Sequence, residues 1–95
     1  MAAGGKGAPA SDLCFLVAED HEFQRSMIVQ MLEHLGASGV YEAEDGRAAM
    51  EITRELDHPF DIIVTDIDMP GMDGLSFIRR LGEAGVGASL IVTSS

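Results

Sequence analysis

Acidic residues follow two apolar segments of this 95-residue chain, at the points where the segments end. Glu19 and Asp20 come directly after residues 13–18, and Asp66 comes directly after residues 60–65. Both segments have the length and composition of buried strands. A carboxylate that ends a rigid strand, and is followed by a turn rich in Pro and Gly, can serve as a metal ligand or a nucleophile.

The apolar pattern predicts four strands that alternate with three helices. Strands are predicted at 13–18, 40–43, 60–65 and 89–93, and helices at 23–35, 46–56 and 75–81. Alternating elements of this kind favour an α/β fold with a parallel sheet and right-handed crossovers. The first and third strands are the most apolar and should be central. The predicted strand order is therefore 2-1-3-4, the doubly wound, flavodoxin-like arrangement.

Apolar residues at helical spacing predict which side of each helix packs inward. These residues are Phe23, Met27, Met31 and Leu35 in the first helix, with Ile28 and Leu32 widening the stripe, Ala49, Ile52, Thr53 and Leu56 in the second, and Leu75, Ile78 and Leu81 in the third. At the ends of the first helix, Asp20 is the predicted N-cap and Gly36 the predicted stop. His21 is interpreted as an exposed neighbour of that cap rather than as part of a site.

The predicted topology brings the acidic groups together at the switch point between the first and third strands. Glu19 and Asp20 should therefore lie beside Asp66. Carboxylates that converge in this way repel one another unless a cation or protons compensate. Oxygen ligands favour Mg²⁺ over zinc, and Mg²⁺ leaves room for a phosphoryl oxygen. The site suits metal-assisted phosphoryl transfer with Asp66 as the nucleophile; the alternative is that these acids merely end strands and cap helices in water.

Two other motifs also contain Asp-x-Asp, as residues 66–68 do. An EF-hand loop would place Pro70 at its fifth position and Phe77 where a bidentate Glu is required, so that interpretation fails. Phosphatases of the haloacid dehalogenase type use the motif near the start of the fold, with Thr or Val where this chain has Pro70. That class stays as a minor alternative.

Composition excludes several classes of protein. The hydrophobic fraction of 46% indicates one folded domain, and the net charge of −10 argues against a nucleic-acid-binding surface. The single cysteine, Cys14, allows neither a disulfide framework nor a zinc cluster. No apolar run approaches the ~18 residues of a membrane span. Residues 1–11 are interpreted as a flexible tail without a secretory signal, so a cytoplasmic location is expected.

Taken together, these residues resemble the receiver (CheY-like) domain of two-component response regulators. The resemblance covers residues 12–95 and rests on Glu19–Asp20, on Asp66 with the turn at 69–74, and on Thr93, the hydroxyl residue that ends the fourth strand. It implies a self-phosphorylating signalling domain rather than an enzyme that turns over a substrate.

The resemblance also implies a role for each site residue. Asp66 would be the phosphoacceptor, and Asp20 and Asp66 would ligate Mg²⁺ directly. The backbone carbonyl of Asp68 would be a third ligand, and Glu19 would hold a metal-bound water. Thr93 would bond a phosphoryl oxygen and couple phosphorylation to a conformational switch. Ser94 is a rival to Thr93 for this role if the register of the fourth strand slips by one residue.

One departure from the family concerns the end of the fold. The family has a fifth strand that ends in a phosphoryl-contacting Lys, and a fifth helix, whereas the only lysine here is Lys6. We therefore expect a truncated receiver with an open fourth strand; completion of the sheet by a partner or a swapped second copy is the less favoured alternative.

The expected partners are a histidine kinase or a phosphotransfer protein. In related domains the start of the first helix helps dock kinase-side partners, which makes Gln24 and Arg25 interface candidates, although an ordinary surface position is favoured. Residues 17–25 look similar to receivers joined to cyclic-di-GMP phosphodiesterase domains, so such an effector is one candidate output. The alternative function is a pseudo-receiver that acts through protein contacts without phosphotransfer.

Overall fold

The computed structural model describes residues 13–56, 60–67, 69, 74–83, 85 and 87–93. In these residues the chain forms β1 (Cys14–Ala18), α1 (Glu22–His34), β2 (Gly39–Ala43), α2 (Gly46–Glu55), β3 (Ile62–Asp66), α3 (Gly74–Glu83) and β4 (Ser89–Thr93). The order of elements is the predicted one, and no boundary moves by more than two residues. The predicted tail at 1–11, Asp68 and Ser94 lie outside the described residues.

The described strands form one parallel sheet in the order β2-β1-β3-β4. This order confirms the predicted flavodoxin-like winding, with β1 and β3 in the centre. The first two strands pair with Leu16 opposite Tyr41, and β1 pairs with β3 with Leu16 opposite Ile63. At the carboxyl ends of β3 and β4, Asp66 pairs with Thr93. The carboxyl ends of β1, β3 and β4 therefore meet at one edge.

The main core lies between the sheet and helices α2 and α3. Its buried members are Leu16, Ala18, Ala43, Ala49, Met50, Phe60, Ile63, Met69, Phe77 and Leu81. Alternation along a strand turns Phe15 and Val17 to the opposite side of the sheet, and both are also buried. Burial on both sides explains why β1 and β3 have continuous apolar sequences. The two strands that end in acidic residues are thus fixed by packing on both faces.

The predicted inward face is correct for α2 and only partly correct for α1, where Ile28 and Leu32 are half-buried as predicted. Ala49 of α2 is fully buried, and Ile52 and Leu56 pack against the core. In α1, however, Phe23 and Met31 are 75% and 62% exposed, while Val29 is buried. The helix packs against β1 and β2. Apolar residues lie on more than one of its sides, so their spacing alone does not identify the side that packs.

The predicted face of α3 is half correct. Leu81 is buried as predicted, but Leu75 is 62% exposed, and the fully buried residue is Phe77. Phe77 is the larger side chain and fills the space between α3 and the sheet, where it belongs to the main core. Leu75 lies in the first turn of the helix, at its exposed end.

Helix ends follow local chemistry, with one correction. The N-cap of α1 is His21, and it makes no side-chain cap hydrogen bond, so the predicted cap at Asp20 is wrong. The predicted stop is correct: Gly36 has a φ of 101°, a conformation that glycine adopts without strain. At the start of α2, the carboxylate of Asp45 accepts a hydrogen bond of 2.7 Å from the amide of Ala48. None of the described helices combines the length and apolar character needed to cross a membrane.

Replacing Asp45 with Ala should lower the free energy of unfolding by about 1 kcal/mol, because the amide of Ala48 loses its acceptor at the helix start. Urea unfolding followed by circular dichroism measures the change. Asp45→Ser is the matched control, since a hydroxyl can also cap and should retain most of the stability. Equal stability of the Ala and Ser variants would contradict a capping role.

Candidate functional site

Three carboxylates and one imidazole converge at the carboxyl edge of the two central strands. Glu19, Asp20 and His21 form the link from β1 to α1, and Asp66 is the last residue of β3. Each of the four side chains offers a ligand atom, and these atoms all lie within 4.8 Å of one another. The predicted convergence of Glu19 and Asp20 with Asp66 is thus present in the structure.

Burial separates the members of this cluster. Glu19 and Asp66 are 3% and 1% exposed, whereas the side chain of Asp20 is 24% exposed. Charged groups are rarely buried without a partner, because the loss of hydration is costly. The sheet therefore holds two carboxylates away from water, and Asp20 lies on the side that solvent can reach.

The oxygens of Asp20 provide a test of whether a cation fits the cluster. Within the described part of the chain, Oδ1 of Asp20 is buried and has no hydrogen-bond partner. Nδ1 of His21 lies 3.3 Å from it, within range of an ionic interaction. A buried carboxylate oxygen that accepts no hydrogen bond, next to two further carboxylates, matches the hard oxygen ligands that Mg²⁺ prefers. The donor set therefore fits this cation.

His21 belongs to the acidic cluster, contrary to the interpretation from the sequence. Its backbone N–H donates to Oε2 of Glu19 at 3.0 Å, and its ring Nδ1 lies 3.0 Å from the same oxygen. This hydrogen bond, together with the negative charge of Asp20, raises the pKa of His21 above its ordinary value. The side chain is 55% exposed, so the prediction of exposure was correct. The signal in the sequence was only its position next to an acidic pair.

Thr93 lies beside Asp66 at the sheet edge. The two residues are paired across β3 and β4, so their side chains leave the sheet on the same side. The Thr93 hydroxyl donates a long hydrogen bond of 3.4 Å to the carbonyl of Thr65, and the Thr93 carbonyl accepts from the amide of Ile67 at 3.0 Å. The long side-chain bond is weak, which leaves this hydroxyl able to take another acceptor.

Comparison with known proteins defines the family. The response regulator receiver domain family matches residues 15–95, and the chain belongs to this family. Receiver domains are signalling domains of two-component systems. The fold, the site and the family therefore agree on one class of protein.

Individual relatives cover much of this chain but less of their own length. The chain is 39% identical over 84 residues to the cyclic di-GMP phosphodiesterase RocR of Pseudomonas aeruginosa, a match that covers 88% of this chain and 21% of RocR. It is 33% identical over 66 residues to the chemotaxis protein CheY-3 of Vibrio cholerae, covering 70% of this chain and 49% of that protein. The chain thus spans about a fifth to a half of the length of these two relatives.

Solved structures agree with the fold. The receiver domain of the histidine kinase CKI1 from Arabidopsis thaliana, complexed with Mg²⁺ and BeF₃⁻, has a TM-score of 0.77 and 27% identity, covering 86% of this chain and 65% of that one. The N-terminal domain of a Wolinella succinogenes protein gives a TM-score of 0.80 and 29% identity, covering 87% and 64%.

Replacing Glu19 with Gln should lower the pKa of His21 towards its ordinary value, because the hydrogen bond to Glu19 is the main cause of the increase. The raised pKa adds stability that is present below the ordinary histidine pKa and is lost as pH rises through the raised value. NMR titration of the His21 ring measures the pKa directly. Glu51→Gln, which removes one exposed charge from α2, should leave it unchanged; an unchanged pKa in Glu19→Gln would contradict the assigned cause.

Proposed function

We propose that this chain is a phosphoacceptor receiver in which Asp66 takes a phosphoryl group from a histidine kinase or a phosphotransfer protein, with Mg²⁺ bound at the acidic cluster. The observation that carries the proposal is the convergence of Glu19, Asp20 and Asp66 within 4.8 Å at the carboxyl edge of the sheet. Membership of the receiver family supports it. So does the similar CKI1 receiver domain, whose structure contains Mg²⁺ and BeF₃⁻.

The acidic residues would divide the work of holding the cation. Asp20 and Asp66 would be direct ligands, and Glu19 would hold a metal-bound water. The backbone carbonyl of Asp68, outside the described residues, would be a third protein ligand. Bound Mg²⁺ neutralises negative charge on the transferring phosphoryl group. The buried Oδ1 of Asp20, which has no hydrogen-bond donor among the described residues, supports its role as a ligand.

Asp66 has the position that a nucleophile requires. It ends a central strand whose packing fixes the carboxylate, and it is only 1% exposed. One of its oxygens would attack phosphorus, forming a P–O bond while the P–N bond to the donor imidazole breaks and its electron pair returns to the ring nitrogen. The product would be an acyl phosphate on Asp66.

Thr93 would report phosphorylation to the rest of the domain. Its hydroxyl would leave the carbonyl of Thr65, 3.4 Å away, and donate instead to a phosphoryl oxygen on Asp66. A charged acceptor forms a stronger hydrogen bond than a carbonyl does, so the exchange favours the phosphorylated arrangement. Movement of Thr93 would shift the end of β4 and thereby bias a downstream partner.

The proposed receiver unit covers residues 12–95, after a tail at 1–11. Its upstream partners would be a histidine kinase or a phosphotransfer protein. For the output we propose an effector of the kind that the name of the relative RocR states, a cyclic di-GMP phosphodiesterase. The acidic net charge makes nucleic acid an unfavourable partner for this unit itself.

Replacing Asp66 with Asn should abolish phosphoryl incorporation, because an amide is a poor nucleophile and a poor metal ligand. Incubation with a small phosphoryl donor and Mg²⁺, followed by mass spectrometry of the intact protein, detects the added group. Asp61→Asn is the matched control: it makes the same substitution just before the same strand, at its opposite end, and should leave incorporation intact. Phosphorylated Asp66→Asn at the wild-type level would overturn the assignment of the phosphoacceptor.

Replacing Asp20 with Ala should remove saturable Mg²⁺ binding, because a direct ligand is lost. Isothermal titration calorimetry measures the affinity, and Glu51→Gln should bind as the wild type does. A wild-type protein without saturable binding would contradict the proposal and favour the pseudo-receiver, which acts through protein contacts without phosphotransfer.

A further inference from the structure

Arg25 of α1 is turned towards the acidic loop rather than towards solvent. Its side chain is only 16% exposed, although it lies in the first turns of a surface helix. Nη1 donates a hydrogen bond of 2.8 Å to the carbonyl oxygen of Glu19, and Nε donates one of 3.3 Å to Oε1 of Glu42. The guanidinium group therefore joins the end of β1 to strand β2.

The loop that Arg25 contacts contains the cation ligands. Glu19, Asp20 and His21 connect β1 to α1, and the amide of Glu19 is held by the carbonyl of Ala43 at 3.0 Å. The Arg25 side chain holds the carbonyl of Glu19, and its amide makes the first backbone hydrogen bond of α1, 2.9 Å to the carbonyl of His21. Asp20 thus lies between two backbone carbonyls that bond to the same residue.

Glu42 in turn fixes the guanidinium group. It lies on β2, opposite Val17 in the strand pairing, and its side chain is 49% exposed. The forked donors of arginine can hold a carbonyl and a carboxylate at once, which the ammonium of lysine cannot do in the same geometry. The contacts therefore form a chain from β2, through Arg25, to the main chain of the acidic loop.

We propose that Arg25 is a positioning residue for the cation site, which it maintains by fixing the main chain at Glu19 so that the carboxylates of Glu19 and Asp20 converge with Asp66. The inference rests on the Mg²⁺ site of the proposed function. It gives Arg25 a role inside the domain, whereas the sequence favoured an ordinary surface position and left docking as the alternative.

Charge and geometry have opposite effects on cation affinity at this position. Loss of the positive charge alone would strengthen Mg²⁺ binding by removing a repulsion. Loss of the forked hydrogen bonds would weaken binding by releasing the loop. Arg25→Lys separates the two effects because it keeps the charge and removes the fork.

Calorimetric titration of Arg25→Lys with Mg²⁺ should give a dissociation constant about tenfold weaker than the wild type, as for other residues that orient metal ligands. Arg47→Lys makes the same substitution at an exposed position of α2 and should change nothing. Glu42→Gln should cause a smaller loss, about threefold, because its amide oxygen still accepts a neutral hydrogen bond from Arg25.

If Arg25 only stabilises the fold, the same experiments should give different results. Urea unfolding would then show lower stability for Arg25→Lys, while the folded protein would bind Mg²⁺ with wild-type affinity and keep the amide NMR shifts of residues 19–21; this result overturns the proposal. If Arg25→Lys fails to fold, Glu42→Gln decides, and wild-type affinity there also overturns it. Absence of saturable binding in the wild type would instead contradict the proposed function.

Discussion

Repulsion between carboxylates at the carboxyl edge of the sheet is the constraint on which the rest of this structure depends. Glu19 and Asp66 are buried, and together with Asp20 they place three acidic groups within 4.8 Å. Packing on both faces of β1 and β3 helps to hold this cluster together, and two contacts from His21 offset the charge of Glu19. A divalent cation bound among these carboxylates would offset their mutual repulsion.

The parallel sheet sets the positions of the residues in this cluster. Because the carboxyl ends of neighbouring parallel strands meet at one edge, residues distant in sequence become neighbours there. Thr93 lies beside Asp66 by strand pairing alone, and the amide of Ile67 is held by the Thr93 carbonyl. Strand pairing and backbone hydrogen bonds thus place Asp66 and Thr93 side by side at the carboxyl edge of the sheet.

The packing faces of the helices are harder to predict from the sequence than the strand order. In α2, apolar residues occupy one side, and the predicted face is the buried one. In α1, apolar residues surround most of the helix, so periodicity could not choose between the side that contains Val29 and the side that contains Phe23 and Met31. The choice depends on which strands the helix crosses, and that information is not local to its sequence.

The sequence by itself determined the element order, the central position of β1 and β3, and the convergence of Glu19 and Asp20 with Asp66. These follow from apolar composition and strand ends, which are local properties. Only the tertiary structure decided that His21 bonds Glu19 and that Arg25 reaches back to the Glu19 carbonyl. A polar side chain takes its direction from the partners that the folded backbone brings within reach, here Glu19 in the adjoining loop and Glu42 on a neighbouring strand.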